Sequence, residues 1–267
     1  MPAESAGRAS SAGGLIINAD DWGRTTEITD RIAECVAIGT VSSVSAMVFM
    51  EDAERAAEIA RQRGIDSGVH LNFTTPFTSA NCSPRLAEHQ RKLTAYLRRN
   101  RLAQTVFHPG LSGSFEYVVS AQIDEFRRLY HEPVRFDGHH HMHLCANVVW
   151  GNLLPARTIA RRNFSFQPGE KNVVNRFYRK MLDRKLARRH RLTDYLYNLA
   201  PLEPISRLQR TFSLARHAAV ELETHPVNPE EYLFLTQGEI FRQLGNCPIA
   251  SCFALPFSQD AVKRGNQ

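Results

Sequence analysis

The chain has 267 residues, of which 43% are hydrophobic and 22% are charged, and 33 basic and 27 acidic residues give a formal net charge of +6. This composition is that of an ordinary globular protein, and it argues against a disordered, collagen-like or disulfide-rich chain. The charge is well short of that of a dedicated nucleic-acid binder. None of the five cysteines forms a C-x-x-C pair, which argues against a zinc ribbon and against a thioredoxin-type site.

The N-terminal residues 1–14 are rich in Ala, Ser and Gly and contain no apolar run typical of a secretory signal. We expect a disordered tail there, followed by one domain over residues 15–260. The longest weakly polar stretch, Val36–Met50, is too short and too polar to cross a bilayer. Cysteines without a motif are typical of a reducing compartment, so the sequence predicts a cytoplasmic protein.

Apolar runs that end in polar residues alternate with helical patterns along the chain. The predicted strands are Leu15–Ala19, Val41–Val48, Ser67–Phe73, Val134–Asp137, Ala218–Glu223 and Ile249–Leu255. The predicted helices are Thr25–Ile38, Asp52–Arg63, Arg85–Arg101, Ser114–Tyr130, Val148–Arg161, Lys171–Arg191 and Pro229–Leu244. This alternation predicts a parallel sheet covered by helices. Because polar clusters follow strands throughout the chain, we favour an α/β, single-domain (β/α) barrel-like fold, complete or irregular, over an open doubly wound sheet.

Two adjacent carboxylates, Asp20 and Asp21, directly follow the first predicted strand. They repel each other unless a cation or a shared proton lies between them. A metal ion bound by one Asp, with the other left as a base, fits this pair, although a solvated loop is the simpler interpretation. His70 is a polar residue at the end of an apolar strand, and alone it is more typical of a hydrogen-bonded core or loop histidine than of a ligand.

The strongest local pattern is Asp137 followed by Gly138 and four histidines within five positions: His139, His140, His141 and His143. In an extended chain, His139, His141 and His143 share one face, and imidazole is the commonest metal ligand. The cluster therefore predicts metal binding. His225, which precedes Pro226 at the end of a later strand, joins the same face if the fold is a barrel.

The segment Arg176–Arg191 contains eight Lys or Arg residues against one acid, Asp183. Val173, Phe177 and Met181 recur at i, i+4 spacing, so the predicted helix is amphipathic. A solvated helix face is the simpler interpretation. The alternative is a docking surface for an anionic membrane or for a phosphate-bearing substrate.

Five short motifs occur along the chain in this order: Ile17–Gly23, Gly39–Ser43, Gly68–Leu71, Asp137–His143 and His225–Pro226. Together they resemble the motifs of the YdjC-like carbohydrate deacetylases, the family that includes chitooligosaccharide deacetylase and the hopanoid-biosynthesis deacetylase. The resemblance covers Leu15–Phe73, Val134–His143 and Glu221–Leu244. The chain departs from the family at Trp22, where Phe is usual, and at Val227, where a small residue is common.

This resemblance implies a (β/α) barrel-like fold and metal-dependent removal of an N-acetyl group from an amino sugar, with release of acetate. The sugar is an oligosaccharide or part of a glycolipid. By motif matching, one divalent ion, Mg²⁺ or Zn²⁺, is bound by Asp21, His70 and His139. Asp20 is then the catalytic base, and His225 is a second catalytic group near the leaving amine.

Three further residues of the same motifs, Asp137, His141 and His143, are expected to orient the metal ligands or to contact the substrate. The expected partner is the acetylated amino sugar, with no nucleic acid. The resemblance also implies a homodimer. The segment Arg176–Arg191 indicates peripheral contact with the inner face of an anionic membrane.

Two alternatives remain open. A metal-dependent phosphoesterase with the same ligands would need a phosphate clamp, for which Arg176–Arg191 is a candidate. A sugar-binding protein with a retained metal site would need no catalytic base, and the intact Asp20 and Asp21 argue against it.

Overall fold

A computed structural model of the chain describes residues 13–100, 102–166, 173–250 and 253. In these residues, seven strands form one sheet, in the spatial order β5-β4-β3-β2-β1-β7-β6, and every neighbouring pair is parallel. The strands are β1 (Gly14–Trp22), β2 (Ser43–Ala46), β3 (Asp66–Leu71), β4 (Arg135–Gly138), β5 (Ile159–Ala160), β6 (Tyr195–Asn198) and β7 (Ala219–Thr224).

Helices follow most of the strands and cover the outside of the sheet. They are α1 (Thr26–Ile38), α2 (Ala53–Arg63), α3 (Pro84–Leu97), α4 (Ser112–Leu129), α5 (Ala146–Trp150), α6 (Val173–Ala187), α7 (Ser206–Ala215), α8 (Pro229–Thr236) and α9 (Glu239–Leu244). Local chemistry fixes the ends of α1. The Thr25 side chain accepts a hydrogen bond from the Ile28 backbone N–H, and Gly39 ends the helix at φ 85°.

The sheet curls until segments beside its two edge strands meet. Ile159 forms a parallel bridge with Arg191, and the Ser165 N–H donates to the Leu196 carbonyl at 2.8 Å. Arg161, immediately after β5, reaches Glu221 of β7 across the interior at 2.7 Å. The barrel-like α/β fold is therefore confirmed, with an irregular closure.

Alternate residues of each strand face opposite sides of the sheet. In β1, Leu15, Ile17 and Ala19 belong to the hydrophobic core beneath the helices. Asn18 and Asp20 occupy alternate positions of the same strand and are buried among polar groups inside the barrel. The apolar core therefore lies between the sheet and the helices, and polar side chains occupy the interior of the barrel.

Most elements between Trp150 and Ala215 differ from the prediction, although α6 lies within the predicted helix Lys171–Arg191. The predicted helix Val148–Arg161 is wrong, because only α5 is helical and residues 159–160 form β5. Neither β6 nor α7 is predicted, since β6 has four residues and α7 follows two prolines. The predicted helix Pro229–Leu244 is divided at Gly238, which has φ 77°.

The predicted tail, residues 1–14, lies outside the described residues except for its last two positions, and Gly14 already belongs to β1. In the predicted last strand, Ile249 makes one bridge with Leu15, and most of the later residues lie outside the described part. The domain limits 15–260 stay a prediction. None of the described helices is both long and apolar enough to cross a bilayer.

Gly68 leaves the space that the buried side chain of Arg135 occupies. A Cβ atom at residue 68 would lie 2.6 Å from Arg135 Cζ and 2.9 Å from its Nε. Hydrogen bonds to Ser43, Ser45 and Asp137 hold this guanidinium in place. We therefore expect G68A to lower the free energy of unfolding by about 1–3 kcal/mol, as measured by thermal or urea unfolding.

Gly113 in the first turn of α4 supplies the matched control. An added Cβ there meets no atom within 4 Å, so G113A is expected to leave stability unchanged or to raise it slightly. Equal stability of G68A and the unsubstituted protein would contradict the close packing of Arg135 against β3.

Candidate metal centre

A break in β1 brings Asp20 and Asp21 to one site. The pairing register of β1 and β2 shifts between Ala19 and Trp22, and Asp21 has a left-handed backbone with φ 68°. Neighbouring strand residues normally point to opposite faces, but this turn directs both carboxylates inward. Asp20 meets Arg161, and Asp21 meets His70 and His139.

Asp21, His70 and His139 form a compact group at the carboxyl ends of β1, β3 and β4. One ligand atom from each lies within 4.8 Å of the other two. Asp21 Oδ1 is 3.4 Å from His70 Nε2 and 2.9 Å from His139 Nδ1. Ligand atoms about 2.1 Å from one ion, at right or tetrahedral angles, are about 3.0 to 3.4 Å apart. The spacing therefore fits a shared cation.

The hydrogen bonding of this group also fits a cation. Asp21 Oδ1 is buried and makes no well-aligned hydrogen bond among the described residues, and its near neighbours are ring nitrogens of His139 and His70, the other two possible ligands. Asp21 Oδ2 accepts from Arg24 at 2.9 Å. A buried polar atom whose hydrogen bonding is incomplete costs free energy. One carboxylate and two imidazoles are ligands that zinc and iron accept readily, so the described residues can hold a divalent metal ion.

Asp137 orients His70. His70 Nδ1 donates to Asp137 Oδ1 at 2.7 Å, which leaves Nε2 directed at Asp21. Asp137 Oδ2 in turn accepts from Ser45 at 2.6 Å and from Arg135 at 3.0 Å. Such a carboxylate behind a histidine ligand fixes the ring and its tautomer.

The surrounding carboxylates set the charge states of this group. Burial alone would lower the pKa of His70, but Asp20, Asp137 and Asp21 raise it to about 10. Burial alone would raise the pKa of Asp21, but its interactions with His139 and His70 hold it well below the ordinary value. Without an ion, a proton on His70 therefore balances the carboxylates, and a bound cation would replace it.

The expected extended conformation of the histidine cluster is wrong. Residues His139–Leu144 form a tight turn in which His140 and His141 have φ values of 56° and 55°. Gly138 permits this turn, because a Cβ at that position would lie 2.9 Å from the backbone nitrogen of His143. The chain folds back on β4, so consecutive histidines point to different parts of the site.

Each remaining histidine of the cluster therefore has its own contact. His140 Nδ1 lies 2.9 Å from Thr74 Oγ1, outside the metal-binding group. His141, half-buried, has Nε2 3.4 Å from Glu223 Oε2. His143 is fully buried, and its Nε2 donates to the Arg161 carbonyl at 3.0 Å. Burial and the neighbouring His141 lower the pKa of His143 to about 3, so it stays neutral.

Arg161 is the central residue that the sequence pattern did not reveal. Two of its nitrogens donate to the two oxygens of Asp20, each at 2.7 Å. The same guanidinium contacts Glu221 at 2.7 Å, Glu223 at 3.2 Å and Asp137 at 3.3 Å. No pattern predicts this residue, because β5 before it has only two residues.

Glu221 and Glu223 were also missed, although β7 carries a usable pattern. They alternate with Val220 and Leu222, which places two acids on the inner face of a buried strand. Burial raises the pKa of Glu221 to about 7 against the opposing effect of Arg161. Burial alone would also raise the pKa of Glu223, but His141 and Arg161 hold it well below the ordinary value.

His225 lies at the exposed side of this group. Its Nε2 is 3.9 Å from Asp20 Oδ2 and 3.8 Å from Glu223 Oε1. These three residues form a second set of possible metal ligands. The Asp20 carboxylate in that set is already paired with Arg161, so the first set has the freer carboxylate.

Comparisons with known proteins agree with the motifs. The chain is 34% identical over 167 residues to a carbohydrate deacetylase of Mus musculus, across 60% of this chain and 52% of that protein. It is 29% identical over 138 residues to a chitooligosaccharide deacetylase of Yersinia pestis (strain Pestoides F), across 50% of this chain and 52% of that protein. The chain thus spans about half the length of the curated relatives it matches.

A crystal structure from Enterococcus faecalis V583, provisionally described as that of a cellobiose-phosphate cleavage protein, is similar with a TM-score of 0.64 and 18% identity. The similarity covers 90% of this chain and 97% of that one, and it shows the fold alone. A family model described as YdjC-like protein matches residues 14–239. Since this match covers most of the chain, the chain belongs to the YdjC-like protein family.

Proposed function

We propose that the chain is a metal-dependent hydrolase that removes the N-acetyl group from an acetylated amino sugar and releases acetate. The observation that carries the proposal is the Asp21–His70–His139 group with the Asp20 carboxylate beside it, 3.9 Å from His70 Nε2. The names of the two deacetylase relatives support the same reaction. A divalent cation in this group, Mg²⁺ or Zn²⁺, would polarise the acetyl carbonyl and lower the pKa of water.

Asp20 is the base of the proposed reaction. Arg161 holds both of its oxygens, which fixes the carboxylate in one orientation. Asp20 Oδ1 also accepts from the Asn18 side chain at 2.8 Å, so the lone pair left to accept the proton of a water molecule is on Oδ2. The water oxygen bonds to the acetyl carbon, and the C–N bond then breaks to give acetate and the free amine.

His225 is the proposed proton donor to the leaving nitrogen. It is half-buried at the site's exposed side, where it faces Asp20 and Glu223. Glu223 is a positioning residue, because it holds His141 and His225 on either side of its carboxylate. His141 also packs against the Phe164 ring at 4.6 Å between centroids, and we assign it to substrate contact.

The phosphoesterase alternative lacks its clamp among the described residues. The basic helix α6 packs outside the barrel through Leu182 and Leu186, and carboxylates surround the Arg161 guanidinium. The identity of the sugar, the homodimer and the cytoplasmic location stay predictions.

Asp21→Ala tests the ligand assignment. It removes the carboxylate that both imidazoles face, so we expect Zn²⁺ binding to weaken by more than about 100-fold, since changes behind the ligands alone cost about 10- to 100-fold. Titration calorimetry on the metal-stripped protein measures this affinity. D124A removes an exposed acid from α4 and is expected to bind the ion normally. Equal binding by D21A and D124A would exclude Asp21 as a ligand.

Asp20→Asn separates the base from the ligands. We expect turnover to fall by about 100- to 10,000-fold, the usual contribution of a general base, while metal affinity changes little. Acetate release and calorimetry on the same preparation measure both quantities. Undiminished turnover would remove Asp20 as the base, and lost metal binding would make it a ligand.

Acetate release tests the reaction itself. The metal-stripped protein is given Mg²⁺, Zn²⁺ or Co²⁺ and then diacetylchitobiose, an acetamido-sugar glycolipid or p-nitrophenyl phosphate. We expect acetate from an acetylated sugar, only with metal and only with Asp20 intact. Phosphate release without acetate would favour the phosphoesterase, and sugar binding without either product would favour the non-catalytic alternative.

A further inference from the structure

The N-terminal half of α6 exposes three large apolar side chains. Val173, Val174 and Phe177 are 79%, 77% and 68% exposed. The opposite side of the helix is buried, where Leu182 and Leu186 pack with Leu144 and Val149. Isolated exposed apolar residues are common, but three adjacent ones at a helix end point to a contact surface.

Contacts along α6 place this end beside the mouth of the barrel. After the helix, His190 and Arg191 meet Thr158 and Ile159 at the start of β5. Within the helix, Asp183 accepts from Asn163 at 2.9 Å, and nearer its start Arg179 lies over the Phe166 ring. The helix therefore runs antiparallel to residues 158–166.

The direction of β5 fixes which side of the barrel this is. The chain runs from β5 through Arg161 to Phe164, which contacts His141 of the candidate site. The start of α6 lies beyond Phe166, past the carboxyl end of β5. The exposed apolar residues are therefore on the same side of the barrel as the candidate metal centre.

Three cations of α6 lie on its outer face. Asp183, the one acid of this helix, is directed inward to Arg162 and Asn163. Arg176, Lys180 and Arg184 are exposed, and within the described parts of the chain no carboxylate pairs with them. At i, i+4 spacing they continue the face that Val173 and Phe177 begin.

We propose that the N-terminal half of α6 docks on the surface of an anionic membrane. Val173, Val174 and Phe177 enter the headgroup region, and Arg176, Lys180 and Arg184 contact lipid phosphates. An apolar stripe flanked by unpaired cations is the composition of helices that lie in this interface. A second copy is disfavoured, because a two-fold contact through this face would bring like charges together.

Vesicle sedimentation of the full chain tests the proposal. We expect binding to vesicles of phosphatidylcholine and phosphatidylglycerol in equal parts, weak binding to phosphatidylcholine alone, and loss of binding at high salt. Each basic residue near an anionic surface contributes about five-fold in affinity. R176E/K180E is therefore expected to weaken partitioning by about 25-fold or more, and V174S/F177S to weaken it at constant charge.

Two matched variants control for charge and for exposed apolar area. R91E/K92E makes the same charge change on α3, and L233S/F241S removes exposed apolar residues from α8 and α9. Both are expected to bind as the unsubstituted protein does, and circular dichroism checks that all four variants fold. The α6 variants are expected to hydrolyse a soluble substrate normally. Sedimentation measures vesicle binding and not hydrolysis, so failure of the proposed reaction would not affect this test.

Three results would overturn the proposal. The first is no binding to the anionic vesicles, or equal binding to the neutral ones. The second is equal weakening by the α3 control. The third is a doubled mass in size-exclusion chromatography with light scattering that V174S/F177S reduces to a single chain, since the face would then belong to a second copy.

Discussion

The buried guanidinium of Arg161 is the charge on which the interior of this barrel depends. Four carboxylates, from β1, β4 and β7, converge on it: Asp20, Asp137, Glu221 and Glu223. Charges buried this deeply are stable only when they are paired and hydrogen-bonded. Arginine suits this position because its planar fork of donors bonds both oxygens of Asp20 at once. The same pairing that compensates the charges also holds the proposed base in one orientation.

The polar interior remains rich in carboxylates even with its two arginines. Arg135 and Arg161 face Asp20, Asp137, Glu221 and Glu223, and Asp21 lies above them with Arg24 at its outer oxygen. A divalent cation at the Asp21–His70–His139 group would add positive charge at a buried oxygen that makes no well-aligned hydrogen bond among the described residues. Electrostatics and ligand geometry therefore favour the same position for a metal ion.

The parts of this architecture that local sequence determines were predictable. The first three strands and first two helices follow from apolar runs and from Gly39 and Gly64, both left-handed at helix ends. Asp20, Asp21 and His70 were singled out as polar residues at strand ends, His139 was singled out in the histidine cluster, and the family resemblance implied their proposed roles. Arg161 was not singled out, because the two-residue strand before it is too short to show an alternating pattern. The role of Arg161 also depends on strands that are distant in sequence. Likewise, the left-handed turn at His140 and His141 depends on how the chain folds back onto Gly138, and alternation alone predicted an extended segment.

The central proposal is one divalent cation between Asp21, His70 and His139. Anomalous diffraction at the zinc absorption edge, from crystals grown with Zn²⁺, locates the ion directly. We expect one strong peak within bonding distance of these three side chains. A peak among Asp20, Glu223 and His225 instead, or no peak in the barrel with Zn²⁺ in excess, would contradict it.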